Sequence, residues 1–237
     1  MKKTAIFVEG KTERILVREL ILRKFNWFVD IICIELYKKR GIPAEYDNNV
    51  PNAEFHFQII QVSNDKALLN AMLKREQHLK NAGYEKIVGL RDMYSKEYRE
   101  EAQKINQNII NEFIDTYNSV IIEESIAPKN MKINFAIMEV ETWFLGLSEI
   151  FEFIDKRLTY PTINNVLNVD INEIDPEKTF FHPAEEIDKL YQSIGLKYGK
   201  RQSQTEALTK HFVELSDDLL AKDKCEAYNR FYQNIIE

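Results

Sequence analysis

Three short apolar runs each end on a carboxylate: Val8 is followed by Glu9-Gly10, Leu90 by Arg91-Asp92, and Met138 by Glu139-Val140-Glu141. Open parallel sheets bind ligands outside the C-terminal ends of their strands. If these strands are neighbours, acids far apart in sequence meet at one edge. Acids drawn together resist ionisation unless a cation neutralises them. Mg²⁺ suits that role, because it takes oxygen ligands and keeps waters while binding phosphate. Two such ions about 3.5–4 Å apart would stabilise the entering and leaving oxygens of phosphodiester cleavage. Mn²⁺ and Ca²⁺ satisfy the same donor chemistry. Taken singly, each acid equally fits a turn or a helix cap.

Glu139 and Glu141 share a face if both lie on a strand. A helix beginning at Glu139 would splay them by about 200°, leaving Glu139 the better ligand and Glu141 a supporting residue or cap. At the first strand end, Gly10 tolerates unusual backbone angles and close approach of a ligand. Thr12 and Glu13 suit a helix cap, Glu13 with an alternative place behind the ligands, and Lys11 could assist a phosphate. Lys197-Tyr198-Gly199-Lys200-Arg201 is the clearest compact basic segment. It suits contact with a nucleic-acid backbone and an unstacked base, or simply a solvated turn. Trp143 and Phe144 read as core. His182 before Pro183 reads as a turn or helix start. Gly10-Lys11-Thr12 lacks the upstream glycine of a P-loop, so ATP hydrolysis by this chain is disfavoured.

The elements that must position these residues alternate. Ala5 to Val8 reads as a buried strand, followed by a helix with Ile15, Leu16, Leu20, Ile21 and Phe25. Ile31 to Leu36 reads as a second strand and Lys38 to Asn52 as a loop. Phe55 to Val62 is a strand. Ser63, Asn64 and Asp65 offer caps for a helix with Leu68, Met72 and Leu79 on one face, stopped by Gly83. Lys86 to Leu90 and Ile133 to Met138 are strands around a long helix carrying Ile105, Ile109 and Phe113. The segments Phe180 to Ile194, Gln204 to Lys222 and Cys225 to Ile236 read as helices. The expected architecture is an α/β core over residues 1–145, with a mainly parallel sheet flanked by helices, and a helical extension over 146–237.

Composition bounds the partners. The 237 residues are 44% apolar with only 7 Gly and 6 Pro, which fits a packed core and excludes collagen-like or disordered chains. Net charge is −6, so any polyanion needs a local basic patch or a bound cation. Cys33 and Cys225 are too few for a disulfide framework or a cysteine-rich zinc site. No apolar run approaches the length of a membrane span or a signal core. The expectation is a cytoplasmic protein without a membrane partner.

The segments Ile6-Phe7-Val8-Glu9-Gly10-Lys11-Thr12-Glu13, Ile87 to Tyr94 and Phe135 to Trp143 together resemble TOPRIM-like proteins. The likeness is strongest to an uncharacterised bacterial family with a Val-Glu-Gly-x-Thr-Glu opening, related to nucleases of the overcoming-lysogenisation-defect type. It spans roughly residues 1–145, with further likeness at Tyr198-Gly199-Lys200 and Cys225 to Phe231. The resemblance implies a TOPRIM, Rossmann-like sheet and Mg²⁺- or Mn²⁺-dependent cleavage of DNA or RNA. Glu9, Asp92 and Glu139 would be catalytic metal ligands, joined by Glu141, with Gly10 and Glu13 behind them. Independently of the family, the charge of Lys11 and of the Lys197, Tyr198, Lys200 and Arg201 segment makes these the candidates to face nucleic acid. The resemblance also implies a mobile-element or antiphage setting with a separate ATPase, and a homo-oligomer is compatible with it. Tyr94 departs from the pattern, standing where many TOPRIM proteins carry a second acid. The alternative is a non-enzymatic regulatory or assembly subunit with a degenerate site.

Overall fold

Four consecutive apolar residues, Ala5 to Val8, are wholly buried and form the C-terminal half of β1 (Lys2–Val8). The computed structural model describes residues 1–37, 40–44, 46–62, 67–222 and 224–236. Helix α1 (Lys11–Lys24) buries Leu16, Val17, Leu20 and Ile21, each worth roughly 1.5–3 kcal/mol by removal from water. There follow β2 (Asp30–Tyr37), β3 (Arg40–Pro43), β4 (Phe55–Gln61), α2 (Leu68–Asn81) and β5 (Lys86–Asp92). Next come α3 (Lys96–Glu101), α4 (Gln107–Glu124) and β6 (Met131–Ala136). The remaining chain is helical: α5 (Glu141–Leu145), α6 (Glu149–Ile154), α7 (Tyr160–Leu167), α8 (Pro176–Thr179), α9 (Pro183–Ser193), α10 (Gln202–Ala221) and α11 (Glu226–Ile236). Among the described residues no helix is long and apolar enough to cross a membrane.

The sheet has six strands in the order β3-β2-β4-β1-β5-β6. β1 runs parallel to β4, with Ile6 beside Ile59, and parallel to β5, with Val8 beside Leu90. β2 is parallel to β4, whereas β3 is an antiparallel edge strand on β2. The fold is therefore α/β with a mainly parallel sheet flanked by helices, as expected. The neighbours β1, β5 and β6 are the strands whose ends carry the acids.

Several local expectations are corrected. Residues 40–43 form β3 where a loop was expected, since backbone pairing with the edge of β2 satisfies polar groups that Gly and Pro content alone does not reveal. Lys38, Lys39 and Glu45 of that stretch lie outside the described residues, as do the expected caps Ser63, Asn64 and Asp65. Ile105 precedes α4 instead of lying within it, and β6 ends at Ala136, two residues earlier than expected. Gly83 has φ +84°, as a helix stop requires. Gly89 of β5 is needed for close approach, because a Cβ there would sit 2.7 Å from Met72 Sδ.

The chain forms two compact units. Unit 1 comprises Met1–Arg91, Asn108–Phe135 and Arg230–Glu237; unit 2 comprises Asp92–Gln107 and Ala136–Asn229. Unit 1 holds the body of the sheet. There the buried Glu76 of α2 accepts hydrogen bonds from Ser125 Oγ (2.6 Å), Ile126 N (3.0 Å) and Ala127 N (2.9 Å), fixing the turn after α4. Glu76→Ala strands these donors. It is expected to cost about 3 kcal/mol, read as a lower urea midpoint at unchanged slope. Unit 2 is centred on aromatic packing, with Phe144 against Phe212 and Trp143 against Tyr228 at centroid separations of 5.4 and 5.3 Å.

Candidate functional site

In unit 2 the chain leaves β6 through Met138, whose φ of +63° is the left-handed region that a methionine rarely adopts. That reversal lets Glu139 precede α5 while Glu141 opens it. Neither acid is on a strand, and the separation expected for a helix beginning at Glu139 does not part them. Lys200 Nζ lies 2.7 Å from Glu139 Oε1 and 3.1 Å from Glu141 Oε2. Both carboxylates thus meet one ammonium contributed from 61 positions away.

Each member is held by further bonds. Glu139 Oε2 accepts the Ala184 amide (3.2 Å) near the start of α9, where the helix dipole favours an anion. Asp92 Oδ1 accepts the Val140 amide at 3.2 Å. Glu141 is wholly buried and accepts a hydrogen bond from Tyr198 Oη on Oε1 at 3.1 Å. Lys200 itself sits at φ +52°. Its loop is tied by Gln204, whose Oε1 accepts the Gly199 amide (3.0 Å) and whose Nε2 donates to the Lys197 carbonyl (2.6 Å). Left-handed residues at Met138 and Lys200 store strain on both sides of one charge cluster, a pattern concentrated at functional sites.

Electrostatics follow from three acids and one cation. Burial raises the Glu141 carboxyl above its usual range, partly opposed by Lys200 and reinforced by Glu139. Burial works against the Lys200 charge, but Glu141, Glu139 and Asp92 outweigh it and hold the ammonium well above the usual lysine range. Burial and the Glu141 charge together keep the Tyr198 phenol protonated. With the carboxylates ionised, the Lys200 charge therefore contributes its stability fully below pH ~10.5, the ordinary lysine value, and that contribution is lost as pH rises through the higher folded value. Lys200→Met should cost about 2 kcal/mol at pH 8. That is less than for a fully buried pair, because the side chain keeps 37% of its exposure. The deficit should shrink on acidification, starting above the ordinary carboxylate range because Glu141 protonates early. Urea midpoints of both proteins at pH 4 and 8 check this.

Tyr94, where a second acid was sought, places its hydroxyl 2.9 Å from His182 Nδ1. The Arg99 guanidinium lies 4.8 Å from the Tyr94 ring centre. This pairing was not legible in the sequence, because 88 positions separate the partners and no motif contains His182. Tyr198 is buried against Tyr191 (5.4 Å), while Lys197 and Arg201 are exposed. Trp143 and Phe144 are core, as expected.

The remaining expected site residues lie in unit 1. Glu9 follows β1 and is half-buried, and Lys11 opens α1 and is exposed. Gly10 is ordinary extended backbone (φ −136°), so unusual angles are not its role. Instead its amide donates to Glu13 Oε2 at 2.7 Å, and a Cβ would sit 2.9 Å from that oxygen. Glu13 thereby caps α1, and Thr12 is not the N-cap residue.

Among the described residues no group of three or more His, Cys, Asp and Glu is arranged to hold a metal ion. Asp92, Glu139 and Glu141 carry carboxylate oxygens, the donor type a hard cation takes, beside the Lys200 ammonium and the Tyr198 hydroxyl, and buried Glu141 Oε2 has an ion-pair contact but no hydrogen bond. Comparisons with family models, curated proteins and solved structures gave no match.

Proposed function

We propose that the chain is a TOPRIM-like phosphodiester hydrolase acting on DNA or RNA, with Asp92, Glu139 and Glu141 as the residues that would hold Mg²⁺ or Mn²⁺. The carrying observation is the shared ammonium of Lys200 between Glu139 and Glu141, with Asp92 contributing to the same field. When bound, the ion would supply Lewis-acid polarisation of the phosphoryl oxygen and a more acidic water. The protein's part is positional. The Ala184 and Val140 amides fix Glu139 and Asp92, and Tyr198 fixes Glu141. A bound ion would replace Lys200 as the neutralising charge, which would leave its ammonium to pair with a phosphate. The resemblance alone makes Glu9 a candidate metal ligand or proton-transfer acid, and Lys11, Lys197 and Arg201 are candidate phosphate contacts by their charge. The resemblance likewise supplies the mobile-element or antiphage setting and a separate ATPase partner.

A second assignment is favoured by Tyr94, which brings a phenol where the resemblance places a carboxylate. A non-enzymatic assembly subunit would keep the Lys200 bridge permanently. A cleavage assay on single- and double-stranded DNA and RNA with Mg²⁺ or Mn²⁺ separates the two. Cleavage by the native chain that fails in Asp92→Asn and Glu139→Gln supports the hydrolase; no cleavage of any substrate supports the subunit.

A further inference from the structure

Unit 1 contains a cavity of about 440 Å³ that none of the strand-end acids lines. Its floor includes Ile34, Ile60 and Leu79, and its wall carries Lys74, Arg75 and His78 from consecutive turns of α2. Lys74 and His78 are exposed, and among the described residues neither has a carboxylate partner. In a chain of net charge −6, positive groups gathered over an apolar floor form a local exception to the global field.

Tyr84 also lines this cavity, and its hydroxyl is fixed from behind. The His56 ring places Nδ1 2.5 Å from Asp30 Oδ2 and Nε2 2.9 Å from Tyr84 Oη. With Nδ1–H donating to the carboxylate, Nε2 accepts from the phenol. Burial, reinforced by Asp30, pushes the Tyr84 phenol up to about 12, so it stays a donor. Lys3 Nζ, 5.8 Å from the Tyr84 ring centre, adds another positive charge nearby. An oriented aromatic wall, an apolar floor and a cationic rim match a planar base joined to a phosphate. The volume falls in the range of about 300–1,000 Å³ typical of small-molecule sites.

We infer that this cavity binds a nucleotide unit, with its phosphate on Lys74, Arg75 and His78 and its base over Ile60 and Leu79 beside Tyr84. The site goes beyond the acid cluster of unit 2 and stands without it. The nucleotide unit could be free or part of a strand, and the experiment has an arm for each. Titrate the full chain with AMP and inorganic phosphate by calorimetry, and with a short labelled oligothymidylate by anisotropy at several salt concentrations. Lys74→Ala/Arg75→Ala should weaken binding at least tenfold while circular dichroism shows the fold retained. It should also flatten the oligonucleotide salt slope by about 0.7, as loss of one neutralised phosphate on a single strand predicts.

Binding of AMP that depends on these residues identifies a free nucleotide. Binding of the oligonucleotide alone, with the same dependence, identifies a strand. Overturning results are no binding of either probe, binding indifferent to the double substitution, or phosphate competing as well as AMP. Glu139→Gln should abolish cleavage and leave this binding intact, so failure of the hydrolase assignment and failure of the pocket are told apart.

Discussion

Glu139→Gln is expected to lower Mg²⁺-dependent cleavage by at least about a hundredfold, the scale of losing a group that acts in the transition state. The substitution keeps the side-chain volume, and the amide oxygen can still accept the Ala184 bond that Glu139 Oε2 accepts at 3.2 Å. What disappears is one negative charge from the cluster that pairs with Lys200 and that the proposal assigns to a divalent ion. Asp92→Asn makes the same cut with the Val140 bond preserved. Both variants should therefore fold normally while failing to cleave, which excludes a trivial loss of structure. Single-turnover assays at saturating nucleic acid, run across Mg²⁺ concentrations, check the result. Unchanged rates in both variants would sink the hydrolase.

Glu177→Ala is expected to destabilise unit 2 by about 4 kcal/mol and to lower the melting temperature by on the order of 10 °C. Glu177 is buried in α8 and accepts three bonds: Trp143 Nε1 (2.9 Å), Ala227 N (2.9 Å) and Tyr228 N (3.2 Å). Alanine leaves three buried donors without acceptors at the meeting of α5, α8 and α11. Burial outweighs those bonds and pushes the Glu177 carboxyl up to about 7. A raised carboxyl binds protons more readily folded than unfolded. Native stability should therefore fall as pH rises from about 4.5 to about 7 and then level off, by roughly 3 kcal/mol in all. Thermal melts followed by circular dichroism at pH 5 and 8 check both parts. The pH-dependent fall should be lost in the alanine variant.

The parallel strands were legible because they are buried on both faces and so read as unbroken apolar runs, as Ala5 to Val8 and Ile87 to Leu90 do. The helix stop at Gly83 was legible because a left-handed residue selects glycine. β3 was not, because an edge strand buries little and its Gly and Pro resemble a turn. The expected acids were legible as strand endings. Their counter-ion was legible only as part of a basic segment assigned to nucleic acid, and its contact with Glu139 and Glu141 came from the folded chain.

Local composition and periodicity were thus sufficient for the α/β class and for the acids that end β5 and follow β6, since burial and strand termination act over a few neighbouring residues. Tertiary structure alone decided that Lys200 bridges Glu139 and Glu141, that Tyr94 meets His182, and that Glu177 ties α5 to α11. Each of these joins residues separated by 34 to 88 positions. Their partners are chosen by the need to satisfy buried charge and hydrogen-bonding groups after the helices have packed.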